Sequence, residues 1–346
     1  MNLQITDPVY QERVKPQFLE STFLNLINNK RDLPFIYLSL KITCIIVPFA
    51  LFLFLNRDVH FAFYLIYLAL IFVVFLGPFI LMLHNTCHRK LFKKEYSHLT
   101  KYIHWFLGGF FGQTPETYFY HHVAMHHPEN NLEDDLSSTM GFRRDSIRGF
   151  FKYLISFYFR GVLDLASYFR KKDRKRFSTT ILVGECVYFG IIILLCFLNF
   201  KATLVVYIIP LIFTRFAMMA GNWAQHAFID PIHPHNVYKN SITCINTIYN
   251  KQCFNDGYHI GHHLRPALHW TEMPNDFLQN IEEYKRNDVV VFTGLDYFQI
   301  WFLLMTKNYK FLSRRFVCLS DNYSSPNDVI TFLKSRTRTI IPGAIS

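Results

Sequence analysis

The residues best able to do chemistry in this chain are its histidines. There are 16 of them, and nine fall in four short clusters. The clusters read His84-Asn-Thr-Cys-His88, His122-Val-Ala-Met-His126-His127, Asn222-Trp-Ala-Gln-His226 and His259-Ile-Gly-His262-His263. Residues three and four apart share a helix face, with Cβ atoms about 5–6 Å apart. His84 and His88 can thus aim at one metal ion, and so can His259, His262 and His263. The spacing of His122, His126 and His127 is slightly wider and can reach two adjacent metals. Asn222 shares a face with His226 and could hold a ligand water. Nine imidazoles are too many for one ion, whereas two ions with four or five ligands each would use them. Imidazole suits zinc, copper, iron and nickel, so ligand type alone leaves the metal open.

The elements that must position these clusters are apolar helices. Hydrophobic residues make up 51% of the 346 residues and charged residues only 18%, against about 25% charged in a typical soluble protein. That balance excludes disorder, collagen and a small disulfide scaffold, and it argues against a simple soluble two-domain enzyme. Four apolar runs stand out, from Pro34 to Leu55, His60 to Leu83, Thr179 to Leu198 and Ala202 to Ala220. Each has about 20 residues, enough to cross a hydrocarbon core of about 30 Å. The connectors are Asn56-Arg57-Asp58-Val59 and Asn199-Phe200-Lys201, so the runs predict two tight hairpins. The expected fold is all-α, with four transmembrane helices in two hairpins and a cytosolic helical cap carrying the histidines.

Charge sets the expected orientation. The hairpin tips hold only Arg57 and Lys201 as cations, while the central loop holds Arg143, Arg144, Arg148, Arg160 and the run Arg170 to Arg176. Cytosolic loops are enriched in Lys and Arg, which predicts that this loop, both termini and all four clusters face the cytosol. The net charge of +11 then reads as a membrane-surface signature. No nucleic-acid motif accompanies it. The first 34 residues, with Asp7, Glu12 and Glu20, lack the pattern of a cleaved signal. Shorter apolar pieces predict a re-entrant or interfacial segment at Trp105 to Gly112 and interfacial helices at Phe150 to Phe159 and Val289 to Met305. Residues 1–306 form the expected membrane domain with its cap, and residues 307–346 a basic tail.

Other polar groups are weaker candidates. Seven cysteines without a Cys-x-x-Cys pair argue against a disulfide framework or a cysteine zinc knuckle. Metal-bound histidine usually donates its other N–H to a carboxylate or carbonyl, for which Glu129, Glu133, Asp134, Asp135, Asp230 and Asp256 are candidates. Glu185 is an intramembrane acid and so a functional candidate by default, with pairing to a boundary cation such as Arg176 as the equal alternative. Arg215 is expected to snorkel to the interface. His60, His98, His104, His121, His233, His235 and His269 read as bystanders, with His121 the hardest to exclude beside His122.

The order and spacing of these clusters resemble the membrane fatty acid desaturase and hydroxylase superfamily. The resemblance covers about Phe35 to Pro266 and comprises two hairpins, three histidine boxes and an extra histidine after the second hairpin. It implies two irons held by His84, His88, His122, His126, His127, His226, His259, His262 and His263, with Asn222 as a water-mediated ligand. It implies O2 as co-substrate and a fatty acyl lipid as substrate. Three features look like the alkane hydroxylases: three spacers in the second box, the intact Asn222-Trp-Ala-Gln-His226 element, and Leu132-Glu133-Asp134-Asp135-Leu136-Ser137-Ser138 after the second box. The first box, however, has Asn85 where those hydroxylases carry Glu. The expected activity is therefore acyl desaturation, with hydroxylation as the alternative.

The chain lacks a His-Pro-Gly-Gly cytochrome motif, a G-x-G-x-x-G fingerprint and a cysteine cluster. A separate ferredoxin or cytochrome partner is implied, and the basic cytosolic surface would suit an acidic carrier. A reading from another class is a non-catalytic membrane protein that stores or senses a metal. Storage does not need ligands fixed at helical spacing, which weighs against it.

Overall fold

The computed structural model describes residues 3–11, 18–320 and 322–340. Glu12 and the end of the expected basic tail, residues 341–346, lie outside the described residues. The chain is mostly helical and divides into two compact units. One comprises Tyr10–His122 and Val162–Phe216, and the other Met1–Val9, Val123–Gly161 and Ala217–Ser346.

The first unit is helical. Among the described residues three helices are long and apolar enough to cross a membrane: Lys30–Leu55, Phe61–His88 and Lys175–Gln225, the last continuing past this unit's boundary. The first two pair antiparallel. Phe49 packs its ring 5.5 Å from that of Tyr67 and 6.4 Å from that of Phe63, while ten residues earlier the Ser39 hydroxyl reaches Met82 Sδ at 3.6 Å. Their outward residues are large and apolar, as a lipid-facing surface requires: Leu55 is 74% and Val73 82% exposed.

The 51-residue stretch Lys175–Gln225 is not one straight helix. Asn199 leaves helical geometry at φ −155, ψ 97. Its amide Nδ2 donates to the carbonyls of Leu53 and Phe54 at 3.2 and 3.3 Å, and its Oδ1 accepts the Ala202 N–H at 3.1 Å. The break is thus capped, as a helix start requires. Beyond it the chain doubles back, and Tyr188 and Ile192 pack with Leu211 in one buried cluster. Arg215 lies 3.3 Å from Glu185, whereas an unbroken helix would hold them about 45 Å apart. Arg215 pairs with Glu185 because of this reversal, so the cation beside Glu185 is Arg215 and not the candidate Arg176, and the expected snorkelling of Arg215 does not occur.

The second unit departs from the all-α expectation. Ile242–Ile245 and Val290–Thr293 pair as parallel strands, with Ile242 opposite Val290 and Ile245 opposite Thr293. The β-branched run Val289-Val290-Val291 favours this extended form, so the expected helix from Val289 to Met305 begins only at Tyr297. Gly294 turns the chain there at φ +68, and Asp296 caps the new helix in a box with Gln299. The described part of the expected tail, residues 307–320 and 322–340, is also folded. Helices Tyr309–Arg315 and Pro326–Arg336 bury Leu312, Val329 and Leu333 against Val290, Phe292, Ile300 and Leu304.

Arg144 staples this unit together. It is fully buried, and its guanidinium donates to the carbonyls of Ala227 at 3.0 Å, Phe142 at 2.9 Å, Arg336 at 3.0 Å, and Arg338. Burial pulls its pKa down to about 9, against the opposing pull of Asp145. The cation stays charged at neutral pH because carbonyl dipoles replace its hydration shell.

Candidate metal centre

In the helical unit, the Phe61–His88 helix runs beyond the expected end at Leu83, so His84 and His88 occupy its last turn. Their ring centroids are 5.4 Å apart. His122 joins them, its ring 4.5 Å from that of His84 and 5.1 Å from that of His88. Tyr118 stacks on His122 at 5.5 Å. The short helix Thr117–His121 that delivers His122 is anchored to the Lys175–Thr203 helix. Thr114 and Thr117 donate their hydroxyls to Glu185 at 2.5 and 3.2 Å, and the Pro115 carbonyl sits so close to Gly184 that an added Cβ would meet it at 2.3 Å.

The chain enters the second unit inside a π-helical turn, His122–His126. Such turns insert a residue into the helical register and are frequent at functional sites. This unit holds a more complete constellation. His126, His226, His259 and His263 bring their ligand-capable atoms within 4.8 Å of one another. His259 Nε2 lies 3.2 Å from His226 Nε2 and 3.0 Å from His263 Nε2. His127 and His262 form a further pair, with their Nε2 atoms 2.9 Å apart.

Two of the four rings are oriented from behind. His226 Nδ1 lies 2.8 Å from the Asn240 carbonyl. A carbonyl only accepts, so Nδ1 carries the proton and the neutral ring turns a bare Nε2 lone pair to its neighbours. His126 Nδ1 lies 2.6 Å from Asp135 Oδ2, which leaves its Nε2 in the same state. Asp135 is itself held by the Asn131 N–H at 2.8 Å, the Ser137 N–H at 2.8 Å and the Ser137 hydroxyl at 2.6 Å. Burial pushes the Asp135 carboxyl up, but His126 and the Ser137 hydrogen bonds outweigh it and hold the group well below the usual carboxylate range.

Electrostatics keeps two of the rings, His226 and His263, neutral. Burial, reinforced by repulsion from His126, pushes His226 down to about 3. Burial and the crowding of His259, His127, His126 and His226 push His263 well below its ordinary value. Neutral imidazoles with convergent lone pairs repel one another, and a cation among them removes the conflict. The donor set therefore fits a histidine-bound transition metal.

The other sequence candidates sort accordingly. Asn222 lies in the same unit as His226, and its Nδ2 donates to the Ser137 carbonyl at 2.9 Å and the Tyr153 hydroxyl at 2.8 Å. Among the six candidate acids, Asp135 meets a clustered histidine. Asp256 accepts the Tyr249 hydroxyl at 2.6 Å, and Asp230 pairs with Lys239 at 3.1 Å and Arg336 at 3.2 Å. His60 and His269 cap helices. Sequence reasoning missed Asn240 and Ser137. Asn240 acts through its backbone carbonyl, for which a side chain gives no signal.

A helical membrane-type chain with clustered histidines is one class of protein, and comparison narrows it. The chain belongs to the fatty acid desaturase family: the family model matches residues 33–295, well over half of its length. Membership implies an oxidoreductase of the desaturase or hydroxylase type, acting on a lipid acyl chain in a membrane setting. No curated protein and no solved structure matches the chain.

Proposed function

We propose that this chain is an integral membrane enzyme that desaturates a fatty acyl chain, using O2 and two histidine-held irons at the cytosolic face. His126, His226, His259 and His263 hold one iron. His84, His88 and His122 hold the other, His127 and His262 complete the nine histidines of the ligand set, and Asn222 contributes through a water. Two irons in these sites would supply the O2-dependent removal of two hydrogens from adjacent methylenes.

The observation that carries the reading is the buried group of four imidazoles, backed by Asp135 and Asn240, in a chain of this family. Its residues have defined work. Asp135 and the Asn240 carbonyl fix the tautomers of His126 and His226, so these two rings need not reorient when metal binds. Burial of His126, His226 and His259 at 2%, 0% and 2% exposure excludes bulk water from the ligand set. The apolar helices would hold the acyl chain and fix which carbons lie beside the metals.

The same reading assigns four membrane spans, the stretch Lys175–Gln225 crossing twice by virtue of its reversal at Asn199, with both termini in the cytosol. Helix Ile147–Lys171 supports a membrane-surface placement, because Ile147, Phe151, Ile155, Phe159 and Leu163 form an exposed ridge at four-residue spacing. Arg148, Lys152 and Arg160 on that helix would meet anionic headgroups. Reduction of O2 to two waters needs two electrons beyond those of the acyl chain, and these come from a separate ferredoxin or cytochrome.

Lipid mass spectrometry of cells with and without the protein tests the reaction. Acyl chains lacking two hydrogens support desaturation. A gain of one oxygen supports the hydroxylase alternative, which the second-box spacing favours. An unchanged profile, with tightly bound redox-silent metal, would favour the storage alternative.

A further inference from the structure

The segment that leads into the third histidine box is held by the start of the chain. Leu3 and Ile5 pack on the buried cluster containing Ile245, Tyr258 and Ile260. The Thr6 N–H donates to Asn246 Oδ1 at 2.7 Å, and Asn246 Nδ2 donates to the Gln4 carbonyl at 2.9 Å. Asn255 Nδ2 donates to the Pro8 carbonyl at 2.7 Å. At the middle of this arm, Asp7 is only 5% exposed. Its carboxylate accepts the Asn246 N–H at 2.7 Å, the Thr247 N–H at 3.2 Å and the Tyr258 hydroxyl at 2.7 Å.

These three donors to Asp7 lie in the segment 246–258, and Tyr258 immediately precedes His259. That segment is costly on its own. Asn246, Phe254 and Asn255 adopt left-handed conformations at φ 56, 54 and 55, which bulky residues such as Phe rarely take. A buried carboxylate is also costly unless hydrogen-bonded. The two costs offset each other only when the arm is seated.

We propose that residues 3–8 are a strap that sets the third histidine box in its metal-binding shape, with Asp7 a positioning residue that acts on His259 through Tyr258. The inference rests on the reading of the four histidines as metal ligands. Removal or covalent modification of the N-terminal arm then weakens metal binding without touching a ligand.

The test is a Co2+ titration of the purified full-length apo-protein, followed by visible absorption, for the wild type, Asp7→Ala and Tyr258→Phe. The wild type should fill two sites. Both variants should weaken one site by roughly 10–100-fold, as loss of outer support to a ligand does, with an altered absorption band for that site and the other site unchanged. Tyr258→Phe keeps the packed ring and carries the test if Asp7→Ala does not fold. Wild-type affinities and bands in a folded variant, even with a lowered Tm, would overturn the strap as a positioning device. A wild-type chain that binds no cobalt would overturn the metal reading and the strap with it.

Discussion

Asp135 Oδ2 stands 2.6 Å from His126 Nδ1, nine residues along the chain from the ring it orients. The carboxylate fixes one tautomer and makes the opposite nitrogen a better donor to a metal. Asp135→Asn removes the charge and turns a donor amide or a weaker acceptor to Nδ1. Metal affinity should fall by about 10–100-fold, measured as metal retained per chain in competition with a chelator. Retention equal to wild type would show that His126 needs no such support.

The crowded histidines predict an acid-sensitive centre. His226 and His263 bind protons less readily in the folded chain than an ordinary histidine does. Below the unfolded value of about 6.5, the unfolded chain takes up protons that the folded chain refuses. The contribution to stability is therefore fully present above about pH 6.5 and is lost as pH falls towards the depressed folded values. Tm of the apo-protein and metal content of the loaded protein should both decline between about pH 7 and about pH 5. A Tm that rises on acidification over that range would contradict the burial of neutral rings.

Glu185 and Arg215 form a second coupled pair, 3.3 Å apart with side chains 9% and 15% exposed. Breaking a buried pair leaves one charge uncompensated and costs roughly 3–5 kcal/mol, whereas replacing both by apolar residues is often neutral. Glu185→Leu should lower Tm sharply, and Glu185→Leu with Arg215→Leu should restore most of the loss. Additive losses in the double variant would mean that the two side chains act separately. Because Glu185 also accepts from Thr114 and Thr117, some deficit should persist in the double variant.

The sequence was informative where structure is local. Apolar runs of helical length located the membrane-type helices, and the four-residue spacings placed His84 with His88 and His259 with His263. What escaped is non-local. Asp7 meets Tyr258 across 251 residues, and no periodicity in either segment announces it. The strands Ile242–Ile245 and Val290–Thr293 are each four residues long, too short for an alternating pattern, and all but Thr293 of their residues are buried. Basic composition made residues 307–340 look like a tail, yet Leu312, Val329 and Leu333 supply the apolar face of two packed helices. The reversal at Asn199 was legible as a connector, and its capping by the amide explains why so short a turn suffices.

Iron analysis of the purified protein addresses the central claim directly, with His263→Ala and His84→Ala beside the wild type. The account predicts two irons per wild-type chain and about one in each variant, since each substitution removes a ligand from a different group. A wild-type chain free of iron after expression in iron-replete cells, or full iron content in both variants, would contradict it.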